Sequence, residues 1–232
     1  MGLDICVGLL ADLSESDPDG RDTLLAEFAA LNRLLSRHRL PAHREPANID
    51  PDVWGMYGYS GLHYLRRLAA HLDADKGKLP EPGGVDSHAD PILEAYFRDI
   101  EGATGGGLRS LFQKRKKVFE RTFDHLIVQG DAEGVYIPLD FPDVLFDVDG
   151  EGVRGGMVGS TPRLLAECER LAGALSLPLE MTTKSEALWE ASESQGHGKE
   201  TWQRYGIESF TCASLIEACR KSMETGAAIV FV

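Results

Sequence analysis

The sequence lacks every short motif that assigns an enzyme class at sight. It has no GxSxG elbow, no HExxH, no CxxC pair, no GxGxxG and no GK[ST] element. The usual routes to a serine hydrolase, a zinc protease or a nucleotide-binding protein are therefore closed. Cysteine is scarce and scattered: Cys6, Cys168, Cys212 and Cys219 sit in apolar or helical contexts. They read as small buried hydrophobes in a reducing compartment, not as a disulfide frame or a zinc site. No apolar run approaches the roughly 20 residues that span a bilayer. The opening MGLDICVGLLADL has no basic region and turns acidic at once, unlike a signal peptide, so a cytoplasmic location is expected. Basic residues are outnumbered, 24 Lys and Arg against 37 Asp and Glu, for a net charge of −13. Such a chain is expected to bind neither nucleic acid nor membrane, since phosphates and anionic lipids both need a basic surface. No cofactor is expected.

What is present reads as a folded chain. With 232 residues, 43% hydrophobic and 26% charged, it can bury a proper core. The expectation is one α+β domain over 1–232 with a flexible loop at 74–89. Its mixed sheet has strands near residues 3–10, 125–129, 135–139, 144–148 and 227–232, packed against about six helices. Leu24, Phe28, Leu31 and Leu35 recur at helical spacing, predicting an amphipathic helix over 21–37. Asp90 before Pro91 is a cap followed by a first-turn proline. Thr161 before Pro162 repeats that arrangement ahead of Leu164, Leu165, Cys168, Leu171 and Leu175. A helix over 108–119 carries the basic run Lys114 to Lys117, read as a solvated face. A helix over 183–194 is expected to turn Leu188 and Trp189 inward. A last helix is capped by Ser209 or Thr211 and closed by Gly226.

The segment DHLIVQGDAEGVYIPLDF, from Asp124 to Phe141, reads as a hairpin. Gly130 and Gly134 bracket Asp131, Ala132 and Glu133 between two apolar runs. Residues two apart on an extended chain share a face, so Asp131 and Glu133 can present paired carboxylates, with His125 and Tyr136 as donors or ligands. An exposed turn explains the same residues with no chemistry. His63, beside the apolar stripe of a helix over 60–72, is a further candidate. Trp54, Tyr57 and Tyr59 stand among Gly55, Gly58 and Gly61, where aromatic rings either line a cleft or plug a core edge. Asp147, Asp149 and Glu151 imitate the first half of an EF-hand loop, but the twelfth position is Val158 where calcium wants a bidentate Glu.

Three stretches, HLIVQGDAEGVYIPLDF, GGMVGSTPRLLAEC and MGLDICVGLLADL, together resemble a group of uncharacterised cytosolic proteins with no assigned activity. The resemblance implies no catalytic residue. Two functions follow from the residues, with the question of enzyme or not left open. One is a non-catalytic acidic protein that binds another protein, a basic one, through its surface. An immunity-type inhibitor of a nuclease is one form of it. The alternative is a small-molecule-binding protein or metal-assisted hydrolase with its site at the Asp131/Glu133 turn.

Overall fold

The computed structural model describes residues 3–74, 78–82, 90–104, 119–130 and 133–232. The chain is α+β, with a six-stranded mixed sheet in the order β2-β1-β6-β3-β5-β4. The strands are β1 (Asp4–Val7), β2 (Asp52–Gly55), β3 (Val135–Ile137), β4 (Leu145–Phe146), β5 (Met157–Ser160) and β6 (Ile229–Phe231). Only β3 and β5 run parallel, with Val135 opposite Val158; every other neighbouring pair is antiparallel.

Nine α-helices lie among the described residues: α1 (Leu9–Ser16), α2 (Pro18–Arg37), α3 (Gly58–Ala74), α4 (Pro91–Thr104), α5 (Asp124–Ile127), α6 (Thr161–Leu175), α7 (Glu186–Glu193), α8 (Thr201–Arg204) and α9 (Gly206–Thr225). Successive strand residues point to opposite faces, so the sheet has a core on each side. On one side α2 lays Leu24, Phe28, Leu31 and Leu35 against Val135, Ile137, Val158 and Val230. On the other, α3, α6 and α9 cover Ile5, Val7, Tyr136, Ile229 and Phe231.

Local chemistry sets several helix starts. The Asp17 carboxylate accepts from the Gly20 N–H at 3.1 Å, with Pro18 opening α2. Asp90 accepts from the N–H groups of Ile92 and Leu93 at 2.9 and 3.1 Å, as the sequence predicts for α4. The same carboxylate is bound by Arg67 at 2.9 Å and by His71 at 3.0 Å. Burial works to raise Asp90, but His71, the Leu93 N–H and Arg67 hold it below the usual carboxylate range. α6 departs by one residue from its predicted start. Ser160, not Thr161, is the cap, and its hydroxyl accepts from the Arg163 N–H at 3.4 Å.

α9 is buried along most of its length, and its serine and threonine hydroxyls are spent on backbone carbonyls. Ser209 donates to Trp202 O at 2.9 Å, Thr211 to Met56 O at 3.3 Å and Ser214 to Gly55 O at 3.0 Å. Ser209 and Thr211 therefore lie inside the helix and do not cap it. Gly206 marks the closest approach, because a Cβ there would stand 1.9 Å from the Ala191 carbonyl oxygen of α7.

Several expectations are corrected here. The strand over 125–129 is the short helix α5, and the hairpin from 125 to 139 does not exist. A short apolar run cannot be told from a buried helical turn by periodicity. What decides it is Glu167 of α6, whose carboxylate accepts from the N–H groups of His125 and Leu126 at 3.0 and 2.8 Å and so satisfies the helix start. β3 pairs instead with β5 and β6. The strand at 3–10 ends at Val7, since Gly8 takes φ 93° and α1 begins at Leu9. The remaining three expected strands are present but shorter, and β2 and β5 had not been expected. Within the loop at 74–89, the described residues 78–82 accept two tertiary hydrogen bonds. The Tyr205 hydroxyl donates to Pro80 O, and Arg67 donates to Glu81 O at 3.2 Å. The remainder of that loop, and the helix expected over 108–119 with Lys114 to Lys117, falls mostly outside the described residues. Among the described residues no helix is long and apolar enough to cross a membrane.

Candidate acidic interface

Most of the acidic turn after β4 is neutralised within the fold. The Asp147 carboxylate accepts from the N–H groups of Glu151, Gly152 and Val153 at 2.8, 3.0 and 3.1 Å. Asp149 pairs with Arg37, and Glu151 with Arg37 and Arg33. Asp140 pairs with Arg163, Asp124 with Arg121, Glu27 with Arg154, and Asp52 with Lys221. The carboxylates of Asp147, Asp149 and Glu151 thus serve the turn and its attachment to α2. Among the described residues no group of three or more His, Cys, Asp or Glu is placed to hold a metal ion.

α7 is different. Its sequence EALWEASE places Glu186, Glu190 and Glu193 at i, i+4 and i+7, and all three are exposed. No ion pair among the described residues involves them. At 3.6 residues per turn these positions and Trp189 fall within an arc of about 100°, with carboxylates spaced about 5 to 6 Å along the axis. Leu188, Ala191 and Ser192 are the buried side, packed towards α9. The helix dipole favours Glu186, in the first turn, but local helix physics disfavours the rest of the row. Like charges at i, i+4 repel, and Glu190 and Glu193 lie in the last turn, where the helix dipole favours cations and the sequence supplies none.

An aromatic cluster is set into this row. Trp189 is 51% exposed, which corrects the expectation that it turns inward with Leu188. Its ring meets Phe210 edge-on with centroids 5.7 Å apart and lies 6.4 Å from Tyr57. The Tyr57 hydroxyl donates to Glu193 at 2.8 Å. Burial, and then the Glu193 carboxylate, push the Tyr57 phenol upward, so it stays a donor. Tyr57 itself adopts φ 56°, a left-handed backbone that is uncommon for a bulky residue and that the surrounding packing must hold. The glycine-flanked aromatics noticed in the sequence thus contribute Tyr57 to this face. Trp54 instead donates from its indole N–H to Glu217 at 3.1 Å.

A second acidic patch, Asp12, Asp17, Asp19 and Asp22, lies at the junction of α1 and α2 on the other side of the sheet. Asp17 is occupied as a cap there, and Arg21 pairs with Asp22.

Those residues nominated from the sequence that the structure describes lie elsewhere. Asp131 is outside the described residues, and Glu133 is exposed. His125 and Tyr136 do come together, in the interior: the Tyr136 hydroxyl donates to His125 O at 2.8 Å. Tyr136 is fully buried, and that burial holds its phenol far above its usual range. His125 Nδ1 accepts from the Ser160 N–H at 3.0 Å, so its Nε2 carries the proton and donates to Pro142 O at 3.2 Å. Both ring nitrogens are in use, and burial holds the imidazole below its ordinary pKa. Above these groups Glu167 is pushed up to about 8 by burial, against the two N–H bonds that favour its charge. This is a buried structural network linking α5, α6, β3 and β5. His63 is buried on α3. Sequence reasoning missed the α7 row, although the i, i+4, i+7 spacing of its three glutamates was legible.

A family model described as "Putative DNA-mimic protein" matches residues 1–231. No curated protein and no solved structure matches the chain. The family match overturns two expectations. An acidic cytosolic protein binding an unspecified protein, with a small-molecule or metal-assisted hydrolase site at Asp131/Glu133 as alternative, gives way to a family whose model carries that description. The expected partners, a basic protein and no nucleic acid, are corrected too, because the description of the matching family points to partners that themselves bind DNA.

Proposed function

The chain belongs to the DNA-mimic family, and from that premise we propose that it occupies the DNA-contacting surface of a DNA-binding protein, presenting carboxylates where phosphates would lie. The observation that carries this reading is the unneutralised row Glu186, Glu190 and Glu193 on one exposed face of α7. Around the turn after β4, and at Asp124 and Asp140, carboxylates are matched with Arg33, Arg37, Arg121 and Arg163, while these three make no ion pair among the described residues, and Glu190 and Glu193 stand at a helix end that disfavours them. DNA-binding surfaces neutralise phosphates with Lys and Arg, and their affinity falls steeply with salt for that reason. A carboxylate row engages the same cations and inherits the same salt dependence. The net charge of −13 supports the reading at the level of the whole chain.

The test is displacement of labelled DNA from purified DNA-binding domains, one duplex-binding and one single-strand-binding. The chain is expected to displace DNA from at least one, less effectively as salt rises. A variant combining Glu186→Gln, Glu190→Gln and Glu193→Gln is expected to lose most of that activity while keeping its fold. Displacement from neither domain at low salt would defeat the proposal.

A further inference from the structure

The α7 face carries something a plain row of phosphates does not. Trp189, half exposed, rises from the same arc as Glu186, Glu190 and Glu193. It is braced from below by Phe210 and Tyr57, so a flat π face is held among carboxylates. In a duplex the base faces are stacked inside, and proteins reach only base edges and phosphates. In a single strand the faces are open, and the proteins that bind it line a cationic groove with aromatic side chains on which bases stack.

We infer that this face imitates single-stranded DNA, with Glu186, Glu190 and Glu193 in place of backbone phosphates and Trp189 in place of an unstacked base. Its partner is the base-stacking groove of a single-strand-binding protein. This rests on the DNA-mimic reading above and narrows it to one class of partner.

Charge density favours the same choice. A duplex presents one charge per about 1.7 Å of axis, counting both strands. The α7 row presents one per about 5 Å along the helix, too sparse for two strands and closer to one. The acidic patch at Asp12, Asp17, Asp19 and Asp22 has no exposed aromatic ring among its described side chains and so offers no counterpart to a base. Complementarity is twofold on α7, since the groove's cations meet carboxylates and its aromatic or arginine planes meet the indole.

The experiment uses the full chain against two purified complexes: an OB-fold single-strand-binding protein on fluorescein-labelled oligo(dT), and a helix-turn-helix domain on its labelled duplex. The chain is expected to release oligo(dT) at concentrations that leave the duplex complex intact. Trp189→Ala is expected to raise the half-displacing concentration about tenfold, as loss of one stacked base does. Trp189→Phe, which keeps a π face, is expected to recover much of the difference, with circular dichroism confirming that each variant is folded. If only the duplex is released, or if Trp189→Ala competes as well as the parent chain, the single-strand inference is overturned while mimicry stands. If neither complex is disturbed, both readings fail.

Discussion

Tyr57 and Glu193, 136 residues apart, are joined by a 2.8 Å hydrogen bond from phenol to carboxylate, and through it the loop before α3 fixes the last charge of the α7 row. Glu193 would otherwise be a free side chain at a helix end that repels it.

Removing that hydroxyl tests whether the row needs to be held. Tyr57→Phe keeps the ring against Trp189 and Phe210 and frees only Glu193. The expected outcome is a small loss of stability, within about 1 kcal/mol since the bond is exposed, together with a several-fold loss in DNA displacement. Equilibrium urea unfolding and the displacement assay read the two effects separately.

Gly206 is expected to tolerate no side chain. A Cβ there meets the Ala191 carbonyl oxygen at 1.9 Å, so Gly206→Ala must push α7 away from α9. Overpacking of this kind costs about 1–3 kcal/mol, and thermal unfolding measures it. Displacement activity should fall with it, because Trp189 loses its footing on Phe210.

Glu167 gives stability a pH dependence of definite sign. Its folded pKa, about 8, lies above its ordinary value of 4.5, so the folded chain holds a proton that the unfolded chain releases. Its contribution is full below about pH 4.5 and is lost as pH rises through 8. His125 acts in the opposite direction at the acid end. Buried with its pKa lowered from 6.5, it contributes stability above about pH 6.5 that is lost on acidification. Glu167→Gln is therefore expected to flatten the decline between about pH 5 and 8 and to leave the acid-side loss in place. Urea midpoints taken across pH 4 to 9 check both arms.

The turn closed by Asp147 is expected to depend on its carboxylate alone. Burial works to raise Asp147, but three backbone N–H groups and Arg37 hold it below the usual range. Asp147→Ala leaves those N–H groups without their acceptor and should cost about 1–2 kcal/mol. Added calcium should leave the melting temperature of the parent chain unchanged, since Asp147, Asp149 and Glu151 are already committed to N–H groups and arginines. A calcium-dependent rise in thermal stability would contradict this.

Much of the architecture was legible wherever the determining residues are neighbours in the chain. Asp90 and Pro91 announce α4, the spacing of Leu24, Phe28, Leu31 and Leu35 announces α2, and the alternation around Tyr136 announces β3. In each case the cap or the period is contained within a few residues. The composition likewise determined an excess of carboxylates and too few cations to neutralise them.

What only the tertiary structure decided depends on partners far along the chain. Asp124 to Ile127 became helical because Glu167, some forty residues later, satisfies the N–H groups of His125 and Leu126. Trp189 came to face solvent because Gly206 lets α9 take the opposite side of α7, leaving Leu188 and Ala191 as the packed residues. Which carboxylates are neutralised and which stay bare was settled the same way, by the arginines that α2 and α6 bring to them. A helix's period names its two faces, but only the neighbour that packs on one of them determines which face is left to bind.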